Sequence, residues 1–148
     1  MAVSTIEGTI EAVELKRVRR NVRVYDRVTF RLGDGSSKSI AKAVVEEKVA
    51  AALRPGTSGR FYLYNALDHR GIHGVRDSEG GAVFGYARMN ETAMLWVVGI
   101  ALIMIVATFL ILDSVSIWGS LLLILGVPAY FLYRKTRLEA ERQFKADG

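Results

Sequence analysis

The chain has 148 residues, of which 51% are hydrophobic and 24% charged, and its formal net charge is +5. Its mean hydropathy of +0.22 is high for a soluble protein with so many charges. Residues 92–133 hold one charged side chain, Asp113, whereas the preceding 91 residues hold 26 of the 35 charges. This division excludes a plain soluble domain, a disordered chain and a large two-domain enzyme. The lack of cysteine excludes disulfides, Cys-ligated zinc and thiol chemistry.

Residues 1–88 are predicted to form a cytosolic domain of β-strands with one short helix. The clearest strand covers residues 21–32, where apolar and polar side chains alternate with a period of two. One face is expected to carry Val22, Val24, Val28, Phe30 and Leu32, and the opposite face Arg23, Tyr25, Arg27, Thr29 and Arg31.

Upstream of this strand, residues 6–12 also alternate, and the phase then slips to Val13 and Leu15. Such a slip predicts a bulge or a glycine-assisted bend, which barrels use to curl. A third strand is predicted over residues 38–44. Further strands are expected over residues 59–67, 71–76 and 81–87, separated by glycine-containing turns.

Between the third and fourth strands the apolar period changes to that of a helix. Val45, Val49 and Leu53 recur at helical spacing, and Pro55-Gly56 ends the segment. The predicted order is three strands, a helix, then two or three strands. This order resembles the OB-fold, a five-stranded Greek-key barrel, over about residues 5–87. An SH3-like barrel and an open α+β sheet are the alternatives.

Basic residues cluster along the first two strands. They form what we call the basic ridge, which consists of Lys16, Arg17, Arg19, Arg20, Arg23, Arg27 and Arg31. If the two strands pair, Arg27 and Arg31 are expected to meet carboxylates of the first strand. The ridge is therefore either an internally paired surface, a site for anionic lipid headgroups or an acidic partner, or a single-strand nucleic-acid site. In the last case Tyr25, Phe61, Tyr62, Tyr64, Phe84 and Tyr86 would be the candidate stacking platforms.

His69 and His73 are the only histidines of the chain. The glycines around them predict a turn or hairpin, and on a strand their side chains would lie about 13 Å apart, too far for one metal ion. A nucleophilic site built on Asp68 and His69 lacks any GxSxG-type elbow. We therefore expect no metal, no cofactor and no catalytic centre.

Two long apolar segments follow, over residues 93–112 and 115–133. At 1.5 Å per residue each helix would reach about 30 Å, the thickness of the hydrocarbon core of a bilayer. Only Asp113-Ser114 separates them, and either side chain could cap the second helix. Residues 89–133 are therefore predicted to form a transmembrane helical hairpin, with Pro128 near the end of its second span.

Charges beside the spans predict their orientation. Arg88 precedes the first span, and Arg134, Lys135 and Arg137 follow the second. The positive-inside rule then places both termini in the cytosol, and we find no signal peptide that would export the first domain. Short loops favour a prokaryotic plasma membrane. The candidate membrane-interface anchors are Trp96, Trp118, Tyr130, Tyr133, Arg134, Lys135 and Arg137.

Small residues mark possible helix contacts in the spans. Gly119 and Gly126 fall on one helical stripe, which indicates packing inside the hairpin or, alternatively, between copies of the chain. Residues 134–148 form a basic tail that is expected to prolong the second helix. Ala140 and Phe144 share one edge of that tail, which is either solvated or packed against the barrel or headgroups.

The general architecture, a small barrel joined to membrane helices, is similar to that of the NfeD-type membrane proteins. Those proteins carry the barrel after their helices, so neither residues nor function are carried over. We predict a non-catalytic, membrane-anchored interaction module, a scaffold or accessory subunit of a membrane complex, with membrane lipids and a protein partner or a second copy as its contacts. The alternative is binding of nucleic acid or anionic headgroups through the basic ridge. No small-molecule substrate is predicted.

Overall fold

A computed structural model describes residues 2–19, 21–66 and 69–147 of the chain. These residues form two compact units. The barrel unit consists of Met1–Ala87 together with Thr136–Gly148, and the helical unit is Arg88–Lys135. The last residues of the chain therefore belong to the same unit as the first.

Six strands and one short helix make up the first part of the barrel unit. In chain order they are β1 (Ala2–Arg19), β2 (Val22–Leu32), β3 (Ser37–Glu46), α1 (Glu47–Ala50), β4 (Ser58–Asn65), β5 (Arg70–Asp77) and β6 (Ala82–Phe84). Strand β1 pairs with both β2 and β4, β4 pairs with β5, and β5 pairs in parallel with β3. The ring β1–β2–β3–β5–β4 is thus a closed five-stranded barrel, and β6 adds to β5.

Closure depends on the long first strand, which turns from one neighbour to the other. Residues 2–9 pair with β4 and residues 8–19 with β2, so Gly8 lies opposite both Gly59 and Leu32. A Cβ at Gly8 would collide with the Arg31 carbonyl. The register of β1 against β2 shifts between Ile10 and Ala12, which confirms the bulge that the phase slip predicts.

The barrel interior is filled by apolar side chains from all five strands and α1. Phe30 and Phe61 are fully buried, with ring centroids 4.9 Å apart. Tyr25 is also buried in this cluster, so the prediction that it lies on the polar face of its strand is wrong. The strand register explains the difference. Glu14 lies opposite Arg27, but the next residue of β1, Leu15, lies opposite Tyr25. This register shift breaks the simple alternation of β2.

Several predicted boundaries also change. Val45 belongs to β3, and α1 has four residues and does not reach Leu53, which the predicted helix includes. His73 lies within β5, as the strand predicted over residues 71–76 requires, and not in the turn that the neighbouring glycines suggest. These shifts have one cause: the cross-strand hydrogen bonds of a closed barrel extend strands over residues whose local pattern is ambiguous.

The helical unit contains α2 (Met89–Leu112) and the first part of α3 (Ile117–Ala146). Both helices are long and apolar enough to cross a membrane. The helix α3 runs through Pro128 and continues beyond the apolar span, as predicted for the tail.

The connection between the helices is short. Asp113 ends α2 in a left-handed conformation (φ 47°), and its N–H donates to the Phe109 carbonyl. The Gly119 N–H donates to the Ser116 hydroxyl at 3.1 Å, so Ser116 caps α3, where we expected Asp113 or Ser114.

Both glycines singled out from the sequence lie where α3 contacts α2. A Cβ at Gly119 would lie 2.7 Å from Cγ1 of Ile105, and one at Gly126 would lie 3.3 Å from Cγ1 of Val97. The missing side chains let the two helices approach closely within one copy of the chain.

Candidate functional site

Three residues of the basic ridge, Lys16, Arg23 and Arg31, form ion pairs with carboxylates of the same unit. Lys16 Nζ lies 3.0 Å from Asp26 Oδ1, and Arg31 Nη2 lies 2.5 Å from Glu11 Oε1. The latter contact confirms the predicted pairing of Arg31 with a carboxylate of the first strand. Arg27 lies directly opposite Glu14 in the register of β1 and β2.

Arg23 makes the most extensive of these contacts. Its guanidinium donates two hydrogen bonds to Glu47, with Nε 3.0 Å from Oε2 and Nη2 2.5 Å from Oε1. This contact joins β2 to the first turn of α1 and raises the pKa of Arg23. In the same way, hydrogen bonds from Arg31 and Ser37 lower the pKa of Glu11. The lowered pKa favours the charged form of Glu11.

The remaining ridge residues lie near the turn between β1 and β2. Arg17 and Arg19 are exposed there, and Arg20 lies outside the described residues.

The aromatic residues proposed as stacking platforms do not form an exposed surface. The side chains of Tyr25, Phe61, Tyr62, Tyr64 and Tyr86 are buried, and Phe84 is half-buried. Base stacking requires an accessible ring face. The geometry thus gives no support to single-strand binding through these residues.

A second surface of the barrel is covered by the tail of α3. Phe144 packs edge-on against Tyr62 at 4.9 Å between centroids and lies 5.2 Å from Phe84. Arg76 stacks over the Phe144 ring at 4.6 Å and donates from Nη2 to the Phe144 carbonyl at 2.9 Å. Gly74 permits this contact, because a Cβ there would lie 2.5 Å from the ring.

The rest of the tail edge is buried as well. Thr136 and Ala140 are fully buried, so the predicted Ala140–Phe144 edge is the one that packs against the barrel. At the end of the helix, Asp147 accepts a hydrogen bond from Arg60 at 3.1 Å, and Arg60 also pairs with Glu7. Of the two alternatives that we considered for the tail, packing on the barrel is the one observed.

His73 lies beneath this contact. Its ring is fully buried, with the rings of Tyr62, Tyr64 and Phe84 at centroid distances of about 6 Å. Burial lowers its pKa from 6.5 to about 4, and the Ala140 carbonyl partly opposes the shift. The histidine is thus a neutral packing residue. Among the described residues no group of three His, Cys, Asp or Glu side chains is placed to hold a metal ion.

A shallow groove of about 440 Å³ lies beside the tail contact, between β1, β4 and β5. Its charged side chains already bind other groups of the protein. Arg60 pairs with Glu7, Arg76 binds the Phe144 carbonyl, and Asp77 accepts hydrogen bonds from the N–H groups of Glu79 and Gly81. Arg60, Arg76 and Asp77 therefore each have a structural contact within the protein.

The candidate interface anchors differ in how far their side chains are exposed. Trp96 and Trp118 are highly exposed, at 70% and 72%, and Arg134 and Lys135 are exposed as well. Tyr130 is half-buried. Tyr133 is buried, and Arg137 is largely buried with Nη1 4.0 Å from Glu141 Oε2. The last two side chains therefore pack within the protein.

Comparisons with protein-family models, with curated proteins and with solved structures find no match for this chain. Function is therefore inferred from the fold and its surfaces alone.

Replacement of His73 by Phe should make the stability of the barrel less dependent on pH. An unfolded histidine takes up a proton below its usual pKa of 6.5, whereas the buried ring resists protonation to about 4. Stability is therefore lost as the pH falls through this window, by about 3 kcal/mol at most. Thermal unfolding of the full chain in detergent should show that Tm falls less for the variant than for the native chain as the pH is lowered from about 6.5 to about 4. Equal falls for both proteins would contradict the assignment.

Replacement of Phe144 by Ala should release the tail. The substitution removes the contacts with Tyr62 and Arg76 and should cost about 1–3 kcal/mol, less than the value for a fully buried Phe. Limited trypsin digestion should then cleave faster after Arg142. Leu138→Ala, on an exposed position of the same segment, is the matched control and should cleave like the native chain. Equal rates for the two variants would contradict a docking role for Phe144.

Proposed function

We propose that this protein is a membrane-anchored interaction module, in which a helical hairpin holds a small barrel at the cytosolic face of a membrane. The barrel would bind a protein partner in a membrane complex, and the protein would act by binding and not by catalysis. Each element of this proposal is supported by a separate feature of the chain.

The observation that carries the proposal is the return of the tail to the barrel. The chain leaves the barrel unit through α2 and re-enters it through α3, because Thr136–Gly148 is part of that unit. If both apolar helices cross a bilayer, the chain must cross twice and return to the side from which it started. The packing of Phe144 on Tyr62 therefore supports a hairpin over two independent anchors.

Charge supports the cytosolic side. Arg88 precedes α2, Arg134 and Lys135 follow the apolar part of α3, and the intervening turn has no basic residue. Basic residues beside spans are retained on the cytoplasmic side. The compact hairpin and its short connection favour the plasma membrane of a prokaryote.

The barrel supports a binding role. Its ring order, with α1 between β3 and β4, resembles the OB-fold, a scaffold that binds other molecules on its strands and loops. We infer that the partner is a protein, because the aromatic side chains needed for nucleic-acid stacking are buried.

The hairpin can be tested by single-cysteine labelling, since the chain has no cysteine of its own. In intact bacteria a membrane-impermeant maleimide should label Ser114→Cys, between the helices, and should leave Ser78→Cys and Ala146→Cys unlabelled. After permeabilisation all three exposed positions should react. Labelling of the barrel and tail positions from opposite sides would contradict the hairpin and with it the proposed function.

Partner binding can be tested in native membranes with a photo-crosslinking amino acid at single positions. Exposed barrel positions such as Lys38, Arg54 and Glu79 should give a discrete product, whose partner is identified by mass spectrometry and by reciprocal crosslinking. Position 96, on the exposed apolar face of α2, is the control for non-specific membrane contacts. If a scan over the exposed barrel surface yields no product beyond this control, the interaction role is wrong.

A further inference from the structure

Strand β3 is paired along only part of one of its two sides. Its residues from Ser37 to Glu46 pair with β2 on one side, whereas on the other side β5 pairs with residues 43–45 alone. Within the described chain no strand pairs with that second side of residues 37–41. Four of these five residues are exposed, and Ile40 is half-buried. We call the unpaired side of residues 37–41 the β3 edge.

The hydrogen-bond pattern indicates which backbone groups lie on the β3 edge. The Leu32 N–H donates to the Ser36 carbonyl, so these two residues form a hydrogen-bonded pair where β2 and β3 meet. Such pairs alternate along antiparallel strands, so Lys38 and Ile40 also bond to β2. The residues between them direct their N–H and C=O groups away from β2 and toward the β3 edge, and they are Ser37, Ser39 and Ala41.

The β3 edge is regular, which distinguishes it from the edges of β1 and β6. The pairing of β3 with β2 contains no register shift, whereas that of β1 with β2 shifts three times between Ile10 and Arg17. Strand β6 covers only Ala82–Phe84. Bulges and short strands hinder the addition of a further strand. The β3 edge can therefore accept another strand without distortion of its own register.

The charge on the β3 edge is positive. Residues 37–45 contain Lys38 and Lys42 and no acidic residue. Both lysines are exposed, and no carboxylate of the described residues forms an ion pair with either. Directly opposed side chains of neighbouring strands have Cβ atoms about 4.5–5.5 Å apart. A residue added opposite Lys38 would therefore meet an uncompensated ammonium group.

We propose that the β3 edge binds an extended acidic segment of the partner protein, which adds to the barrel as a further strand. In strand addition, main-chain hydrogen bonds supply affinity and alternate side chains supply specificity. The backbone groups of Ser37, Ser39 and Ala41 provide the first, and Lys38 provides the second. The inference rests on the proposed interaction role, and it names the surface and the chemistry of the partner.

The neighbours of the β3 edge define the sequence that fits it. Lys38 lies opposite Phe30 and Ile40 opposite Val28, both of which are fully buried, so the two β3 side chains are on the core face of the sheet. Ile40 packs against the core although it is only half-buried. An added strand would place an acidic residue beside Lys38 and, two positions along, an apolar residue beside Ile40.

A second copy of this chain matches the β3 edge poorly. Neither of two paired edges would contribute a carboxylate, so the pairing would bring together lysines from both copies. Like charges on directly opposed residues destabilise a sheet. The edge therefore favours a different protein with an acidic segment over self-association.

Hydrogen exchange tests whether the β3 edge is free. In the full chain in detergent, NMR should show that the amides of Ser39 and Ala41 exchange about tenfold or more faster than those of Lys38 and Ile40, which bond to β2. Equal protection of all four amides would mean that the edge is already covered and would overturn the proposal.

Photo-crosslinking in native membranes tests the occupant. A photo-crosslinking amino acid in place of Ala41 should give a product with one protein, and mass spectrometry should locate the crosslink beside an acidic residue. Ser39→Pro removes an N–H that faces the edge, a position where strands tolerate proline, and should abolish the product. Ser39→Ala is the matched control, because it keeps that N–H, and should give the native yield.

Charge reversal gives a second pair of variants, which carries the test if thermal unfolding shows that Ser39→Pro does not fold. Lys38→Glu should abolish the product. Lys48→Glu changes the net charge equally at an exposed position of α1 and should leave the yield unchanged. Equal losses in Lys38→Glu and Lys48→Glu would indicate a response to overall charge and would overturn the proposal.

Other outcomes would also overturn it. A product that survives in folded Ser39→Pro, or in Lys38→Glu, would mean that binding does not use the edge. A crosslink to a second copy, or to a segment without acidic residues, would assign the edge to another occupant. A partner captured at Arg54 or Glu79 but not at position 41 would leave the interaction role intact and reject the edge, whereas no product anywhere on the barrel would reject both.

Discussion

The contact of Phe144 with the barrel is the interaction on which the organisation of this protein depends. It joins the last turns of α3 to β4 and β5, more than sixty residues earlier in the chain, and Arg76 holds it from the side through both its stack and its hydrogen bond. Because the segment that follows the apolar helices belongs to the same unit as the segment that precedes them, the helical unit is inserted into the barrel unit. Both ends of the helical unit therefore connect to the barrel unit.

Docking of the tail on the barrel has an entropic cost. The tail residues lose conformational freedom once, during folding, and the contacts of Phe144 must outweigh that loss. Thr136, Ala140 and His73 are fully buried where the tail packs on the barrel, as expected for a permanent contact.

Ion pairs connect strands and helix along the barrel wall. Arg23 and Arg31 lie at hydrogen-bonding distance from Glu47 and Glu11. The side chains of these pairs are partly exposed, and exposed ion pairs contribute little to stability, so they add less to the barrel than the burial of Phe30 and Phe61 does.

The amino-acid sequence by itself determined the division into a charged sheet domain and two apolar helices, the approximate strand order, the bulge after Ile10 and the pairing of Arg31 with a carboxylate. These features depend on local periodicity, on helix length and on neighbouring strands, which are readable from a chain without its fold. The tertiary structure alone decided that Tyr25 is buried and that His73 lies beneath the tail. Each of these depends on a register shift, on barrel closure or on a contact between residues far apart in sequence, and none of those leaves a signal in the local pattern.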